Sequence, residues 1–320
     1  MVSIQDIRKA HRRIAHAIVK TPVMTSTTID KMTGCSVYFK CENFQRVGAF
    51  KFRGATNAVT LLTEEERERG VITHSSGNHA QALSLAAFME GIPCTIVMPR
   101  NSPAVKIEAT RGYGADIVLC EPTLESRKST ADKLIKKHRC TLVHPYDNPV
   151  VIAGAGTAAL ELIDEVGPLD YLFCPVGGGG LLSGTSIASR AMSPKAQVIA
   201  VEPKNADDAY RSFKSGKLVP SIDPKTFADG LRTSLSELTF SIIQKHVDDI
   251  ITVTEKEILK AMRLLWERMK IVVEPSGAVS LAGLLKVRGI IAKGSKIGVM
   301  VSGGNVDLEE FFSRYEKIIE

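Results

Sequence analysis

The sequence predicts an α/β protein with parallel sheets flanked by helices. Short apolar runs rich in β-branched residues alternate with longer segments of helical periodicity, and this alternation is typical of parallel sheets. Several helical segments begin with capping signals, such as Thr63 followed by Glu66 and Thr254 followed by Glu257. The predicted strands are 71–73, 95–98, 117–119, 171–173, 198–201, 250–253 and 297–301.

The first of these strands fall within residues 71–148, with helical patterns between them. A unit of this size could form its own small sheet, although it is only about half of a usual domain. We therefore predict a small domain at 71–148 and a large domain made of 1–70 together with 149–320. Between about 203 and 236 the periodicity weakens and prolines and glycines appear, which predicts an irregular segment.

Composition excludes several classes of function. The 320 residues are 44% hydrophobic and 24% charged, which is ordinary for a soluble globular protein. The net charge of +6 is spread over interspersed charges, and with only 6% aromatic residues we expect no nucleic-acid surface. Six cysteines without metal-type clustering indicate buried thiols of a reducing compartment. Without a signal peptide or a membrane-length apolar stretch, the sequence predicts a cytoplasmic protein with no membrane partner.

Lys51 lies between Phe50 and Phe52, where a lysine stem would usually reach for water. An amine desolvated by apolar neighbours has its charged form disfavoured, which makes it a better nucleophile toward a carbonyl. Taken alone, the motif also fits a surface lysine flanked by core residues. Two downstream segments favour the reactive amine.

The first segment is the run Gly177 to Gly180, framed by the predicted strand 171–173 and by a helix that begins near Leu181. Residues without Cβ let backbone amides approach an anion closely, and the following helix directs its free N–H groups to the same point. The run lacks the lysine and hydroxyl of a nucleotide P-loop. It therefore predicts a cradle for a small phosphate monoester.

The second set of signals consists of polar residues that follow strands. Ser75, Ser76 and Asn78 precede a predicted helix and form a candidate site for a substrate carboxylate. Ser302 follows the last strand, at the sheet edge where ligands of open α/β folds bind. A reactive lysine, a phosphate cradle and hydroxyls at strand ends together indicate pyridoxal 5'-phosphate.

With these motifs in this order, the chain resembles the serine racemase and serine/threonine dehydratase family of fold type II pyridoxal-phosphate enzymes, which share a two-domain, tryptophan synthase β-like fold. The resemblance implies that Lys51 is the Schiff-base lysine and a base for the α-proton. It implies that Asn78 contacts the ring hydroxyl and Ser302 the ring nitrogen. The implied cofactor-binding residues are Phe50, Lys51, Asn78, Gly177, Gly178, Gly179, Gly180, Leu181 and Ser302.

Ser76 distinguishes branches of the family. The resemblance implies that a serine here is the second acid/base, on the cofactor face opposite the lysine, whereas threonine dehydratases typically have alanine. Two bases permit inversion at the α-carbon, while one permits only elimination. The implied catalytic residues are therefore Lys51 and Ser76. The implied substrate residues are Ser75, Ser76, Asn78, His79, Tyr146 and Arg232.

The resemblance also implies ion and nucleotide sites. Glu202, Asp208 and the carbonyl of Ala206 match the family's loop for Mg²⁺, or for Ca²⁺ or Mn²⁺. Four further residues fall where related racemases bind ATP between subunits. They are Ser26, Thr27, Thr28 and Arg46. Because Arg46 and Val47 replace the lysine-threonine or lysine-methionine pairs of those enzymes, ATP activation stays open.

The function that these features predict is a homodimeric serine racemase with L-serine, and also L-threonine, ammonia-lyase activity. The alternatives are an L-threo-3-hydroxyaspartate or threonine ammonia-lyase without racemisation. Arg232 keeps 3-hydroxyaspartate open, because it could pair with a side-chain carboxylate. An alternative from another class is a non-catalytic regulatory protein that binds the cofactor or phosphate.

Overall fold

The computed structural model describes residues 2–102, 104–309 and 311–313. Its strands fall into one sheet of six and one sheet of four. The strands are β1 (Val23–Met24), β2 (Ser36–Cys41), β3 (Val71–His74), β4 (Cys94–Pro99), β5 (Asp116–Cys120), β6 (Thr141–Leu142), β7 (Tyr171–Pro175), β8 (Gln197–Pro203), β9 (Asp249–Val253) and β10 (Lys296–Val301).

The larger sheet has the order β1-β2-β10-β7-β8-β9, and only its edge strand β1 is antiparallel to its neighbour. The smaller sheet has the order β5-β4-β3-β6, with every pairing parallel. The predicted α/β class with parallel sheets is therefore confirmed. All four strands of the smaller sheet lie within 71–148, and the division into two domains stays a prediction that this sheet membership supports.

Helices cover the sheets and bury apolar residues against them. They are α1 (Ile4–Ile14), α2 (Thr27–Thr33), α3 (Lys51–Val59), α4 (Glu64–Arg69), α5 (Asn78–Met89), α6 (Ala104–Gly112), α7 (Leu124–His138), α8 (Pro149–Val166), α9 (Gly180–Met192), α10 (Asp208–Ser215), α11 (Glu237–His246), α12 (Glu255–Leu264) and α13 (Pro275–Val287). The capping boxes predicted at Thr63 and Thr254 are both formed, at the starts of α4 and α12.

The segment predicted to be irregular contains one regular element. Helix α10 begins at Asp208 and buries Ala209 and Ser212, and it ends at Gly216, which adopts the left-handed conformation with φ of 70°. The chain beyond it is irregular up to α11 apart from one short turn of 3₁₀ helix at Asp229–Leu231. The prediction was wrong for α10 because its eight residues are too few to show a clear period.

The six cysteines are all buried and free, as the sequence predicts. Burial raises the pKa of the Cys41 and Cys94 thiols to about 12, so they are protonated at neutral pH. Among the described residues, none of the helices has the length and apolar character needed to cross a membrane.

Candidate active site

Lys51 is the first residue of α3, next to the end of β10. Its Nζ donates a hydrogen bond to the carbonyl of Pro145 at 3.0 Å and lies 5.0 Å from the centre of the Phe50 ring. Burial lowers the pKa of this amine to about 8, although the carboxylate of Glu274 acts in the opposite direction. Relative to an ordinary lysine pKa of 10.5, the neutral fraction at pH 7 rises about 300-fold. The second predicted aromatic neighbour, Phe52, packs into an apolar core instead.

The glycine run follows β7 and leads into α9, as predicted. Its residues are buried, and neighbouring atoms occupy the space that a Cβ would need. A Cβ added to Gly177 would lie 2.9 Å from Cα of Leu231, and one added to Gly178 would lie 2.5 Å from Cγ of Tyr146. Gly179 also has a φ of 86°, which glycine adopts readily. The backbone thus forms a close-fitting turn at the N-terminus of a helix, a geometry that binds phosphate.

Ser302 lies directly after β10, and β10 pairs with β7 in the same parallel sheet. Ser302 and the glycine run therefore leave the same sheet edge. Ser302 is 4% exposed, and its hydroxyl has no hydrogen-bond partner in the part of the chain that the structure describes. Its carbonyl accepts the N–H of Phe50 at 3.0 Å, which ties the strand end to the residue before Lys51.

Asn78 connects the smaller sheet to the larger one. It begins α5, and its Nδ2 donates to Oε1 of Glu274 at 2.9 Å. Its Oδ1 accepts from Nδ2 of Asn305, also at 2.9 Å. Glu274 is buried and precedes α13, and the sequence analysis missed it, because a single glutamate before Pro275 carries no motif. The loop after β3 is thus joined to the surroundings of Lys51.

Ser75 and Ser76 lie in the half-buried turn between β3 and α5. The Ser75 hydroxyl accepts the N–H of Gly77 at 3.4 Å. The Ser76 hydroxyl, by contrast, has no hydrogen bond among residues 2–102, 104–309 and 311–313. Ser76 is therefore the hydroxyl of this turn that is available to a ligand.

Three predicted substrate residues have different surroundings. His79 is buried with Nε2 at 2.9 Å from the carbonyl of Val143, and burial next to Lys51 lowers its pKa to about 3, so it is neutral. Tyr146 packs on Gly178 and so lies at the glycine run. Arg232 is exposed, and its Nε donates to the carbonyl of Thr226 at 2.9 Å. His79 and Tyr146 are thus near the site, whereas Arg232 is held by its own loop.

The three predicted metal-binding residues are deeply buried. Glu202 is 0% exposed and accepts the N–H groups of Ala209 and Tyr210 at 3.0 and 2.8 Å. Asp208 is 1% exposed, and neither of its carboxylate oxygens has a well-formed hydrogen bond among the described residues, although the Ser221 hydroxyl and the Leu235 N–H lie near enough to lower its pKa. Burial raises the pKa of Glu202 to about 9 and that of Asp208 to about 6. Two buried carboxylates, one of them without a well-formed hydrogen bond, suit a bound cation, although the described residues contain no cluster of three or more acidic, histidine or cysteine ligands.

The residues predicted to bind ATP are not joined by the described contacts. Ser26 is buried and precedes α2, which begins with Thr27 and Thr28. The guanidinium Nε of Arg46 donates to the carbonyl of Ala17 at 2.7 Å, three residues after the end of α1. Arg46 is thus engaged by the chain itself.

The arrangement fits pyridoxal phosphate on three independent observations. The cradle at Gly177–Gly180 has no space for side chains, the Lys51 amine is partly neutral, and the Ser302 hydroxyl is unpaired among the described residues. Phosphate, aldehyde and ring nitrogen each have a matching group.

Comparison with known proteins supports the same assignment. Residues 14–303 match the family described as pyridoxal-phosphate dependent enzyme. The chain is 51% identical over 310 residues to serine racemase from Dictyostelium discoideum, covering 96% of each chain. It is 50% identical over 308 residues to L-threo-3-hydroxyaspartate ammonia-lyase from Saccharomyces cerevisiae, covering 96% of this chain and 94% of that protein.

The fold is similar as well. The crystal structure of the Dictyostelium discoideum serine racemase superposes with a TM-score of 0.92 at 50% identity, covering 96% of this chain and 99% of the other. The predicted fold type II architecture is therefore confirmed. Together with the lysine, the glycine cradle and the serine at one sheet edge, these similarities show that the chain belongs to the pyridoxal-phosphate-dependent enzyme family.

Proposed function

We propose that this chain is a serine racemase that also eliminates water from L-serine. The observation that carries the proposal is the Lys51 amine, whose pKa of about 8 leaves part of it neutral beside the glycine cradle and Ser302. The identity of 51% to a serine racemase over 96% of both chains supports the choice of substrate.

The cofactor assignments follow from the site. We assign the phosphate to the backbone N–H groups of Gly177–Gly180 and Leu181, the ring hydroxyl to Asn78 and the ring nitrogen to Ser302, with Phe50 beside the lysine. When bound, pyridoxal phosphate supplies an electron sink that makes the α-proton of an amino acid removable. Ser302 offers a hydroxyl instead of a carboxylate, so it does not hold the ring nitrogen protonated.

Racemisation needs one group that removes the α-proton and a second group that returns a proton from the other side. Lys51 is suited to the first task because its neutral amine can accept a proton at Nζ. Ser76 is suited to the second task because its hydroxyl is not engaged by the described residues. Elimination needs no second base, since the α-proton taken up at Nζ of Lys51 can be passed to the departing β-hydroxyl, which leaves as water.

The test is to incubate the protein with L-serine and to measure pyruvate and D-serine separately. We expect Ser76→Ala to abolish D-serine formation and to retain pyruvate formation, and Lys51→Ala to abolish both. Ser84→Ala is the control, because Ser84 lies on α5, the helix that follows the Ser76 turn, and its hydroxyl donates to the carbonyl of Ala80 at 2.7 Å. Equal loss of both products in Ser76→Ala would show that Ser76 has a structural role only.

A second candidate is ammonia-lyase activity on L-threo-3-hydroxyaspartate. It is favoured by the 50% identity to the yeast enzyme of that name. Arg232 would bind the additional carboxylate only with N–H groups that Thr226 leaves free. Incubation with L-threo-3-hydroxyaspartate and L-threonine, with keto acid as the readout, ranks these substrates against L-serine. Arg232→Gln should raise the KM for hydroxyaspartate selectively if this second activity is the main one.

We also propose that Glu202, Asp208 and the Ala206 carbonyl bind Mg²⁺, or Ca²⁺ or Mn²⁺. The support is the buried carboxylate of Asp208, which has no well-formed hydrogen bond among the described residues, next to a second buried acid. Hard oxygen ligands of this kind suit these cations. Calorimetric titration with Mg²⁺ of wild-type protein and of Asp208→Asn tests the site, and equal binding to both would contradict it.

The remaining assignments concern a nucleotide site, assembly and location. The described residues make no contact that joins Ser26, Thr27, Thr28 and Arg46 into one site. ATP binding there is tested by nucleotide titration of the wild-type protein and of Arg46→Ala. Homodimer formation rests on the family resemblance, and a cytoplasmic location rests on the six buried, free cysteines, which suit a reducing compartment. Light scattering of the purified chain measures the first, and imaging of the tagged protein in cells measures the second.

A further inference from the structure

Arg53 is a fully buried arginine two residues beyond Lys51, and it pairs with a carboxylate from another part of the chain. Its Nε donates to Oε2 of Glu42 at 2.7 Å and its Nη2 donates to Oε1 of the same carboxylate at 2.8 Å. Both side chains are 0% exposed. This two-point pairing fixes the orientation of the guanidinium plane as well as its position.

A second buried carboxylate pairs with the other edge of the same guanidinium. Glu161 in α8 accepts from Nη1 and Nη2 of Arg53 at 2.7 and 2.8 Å, and it also accepts from Nζ of the buried Lys40 at 2.7 Å. The cluster thus joins Arg53 and Lys40 to two carboxylates, and the Nε2 atom of His11 lies 3.4 Å from Oε1 of Glu161. Because unpaired buried charges are strongly destabilising, the cluster holds its members in one geometry.

Two of the segments joined by this cluster, α3 and α8, lie at or near the two ends of the Lys51 hydrogen bond. Arg53 lies in the first turn of α3, whose N-cap Phe50 makes no side-chain capping bond. Glu161 belongs to α8, which begins at Pro149, four residues after the Pro145 carbonyl that accepts from Lys51. The donor of the Lys51 hydrogen bond therefore lies on α3 and its acceptor lies on the segment that leads into α8, and Arg53 joins α3 to α8.

We propose that Arg53 is a positioning residue for Lys51, which fixes the first turn of α3 against α8 and so holds the amine at the Pro145 carbonyl. The inference rests on the proposed function, because it takes Lys51 as the reactive amine. Arg53 influences Lys51 through the position of α3 and not through its charge, because Glu42 and Glu161 balance that charge. The charged side chain that influences the pKa of Lys51 is Glu274.

The test compares Arg53→Lys with the wild-type full-length chain. Lysine keeps the positive charge but cannot form the paired hydrogen bonds to both carboxylates. The chain, freed of cofactor, is treated with trinitrobenzenesulfonate at a series of pH values, and modification of Lys51 is quantified by peptide mass spectrometry. We expect the titration midpoint of Lys51 to rise by about one pH unit as the loosened amine is hydrated, which lowers the free amine at neutral pH about tenfold. The kcat should fall with it, and KM should change less.

Arg190→Lys is the matched control. Arg190 is a half-buried arginine of α9 that bonds the carbonyl of His246 at 3.0 Å and pairs with Asp248 at 2.6 Å, away from α3. We expect it to lower the Tm without moving the Lys51 midpoint. If Arg53→Lys lowers the Tm but leaves the midpoint and kcat as in wild type, the positioning role is refuted.

Two further outcomes are informative. If Arg53→Lys does not fold, the isosteric Glu42→Gln removes one of the two charge partners, and the same upward shift of the midpoint is expected. An unshifted midpoint in that variant refutes the proposal. If Lys51 of the wild-type chain titrates as an ordinary lysine, the proposed function fails together with the positioning role, and this result is distinct from failure of the variants alone.

Discussion

Gly178→Ala should destabilise the protein and weaken cofactor binding, because Tyr146 occupies the space that a side chain would need. The added Cβ would lie 2.5 Å from Cγ of Tyr146, which is about 1 Å inside normal van der Waals separation. The ring cannot move away freely, since it packs edge-on against His144 with 4.7 Å between centroids. We expect the free energy of unfolding to fall by about 1–3 kcal/mol. The same strain displaces the backbone N–H groups of the glycine run that would bind the phosphate. We therefore expect a roughly tenfold to hundredfold loss of cofactor affinity.

The assay is fluorescence titration of the cofactor-free chain with pyridoxal phosphate, combined with urea unfolding. Gly112→Ala is the control, because a Cβ added there meets no atom within 4 Å. The double variant Gly178→Ala, Tyr146→Ala removes the obstructing ring and should recover part of the lost affinity. Wild-type affinity in Gly178→Ala, or no recovery in the double variant, would refute the reasoning.

Two other predictions concern buried charges. Glu274→Gln removes the carboxylate that favours the charged amine, so the pKa of Lys51 should fall below about 8, and an unchanged or higher titration midpoint would count against this coupling. Burial raises the pKa of Asp208 from its ordinary 3.8 to about 6. Without a cation, the free energy of unfolding should therefore fall by on the order of 3 kcal/mol as the pH rises between these two values. Added Mg²⁺ should therefore raise the Tm more above pH 6 than below pH 4, and Asp208→Asn should abolish this difference.

Much of the fold could be predicted because the central strands are continuous apolar runs. Residues 171–173 and 297–301 were predicted as strands, and both lie in the middle of the larger sheet. Strand β2, which lies between the edge strand β1 and β10, was not predicted, since its sequence Ser36–Cys41 contains a lysine. Lys40 is nevertheless 0% exposed and pairs with Glu161, which is 121 positions away. A charge neutralised by so distant a partner looks like a surface residue in the sequence.

The residues of the candidate site also divide into those that the sequence reveals and those that only the folded chain reveals. Lys51, the glycine run and Ser302 could be found because each stands in a local strand or helix context that the chemistry requires. Glu274 and Arg53 could not, because their roles depend on contacts with Asn78, Glu42 and other residues that only the folded chain brings together. Local motifs therefore reveal groups that touch a ligand, and they miss the groups that hold those motifs in place.

The amide chain through Asn78 constrains the ionisation of the ligand that it serves. Nδ2 of Asn305 donates to Oδ1 of Asn78, and Nδ2 of Asn78 donates to the Glu274 carboxylate. The Asn78 amide thus accepts from Asn305 and donates to Glu274, and its Nδ2 carries a second N–H. Under the proposed assignment, that N–H would donate to the ring oxygen of the cofactor. Because a hydrogen bond to a charged acceptor is stronger than one to a neutral acceptor, this contact would stabilise the phenolate form more than the phenol.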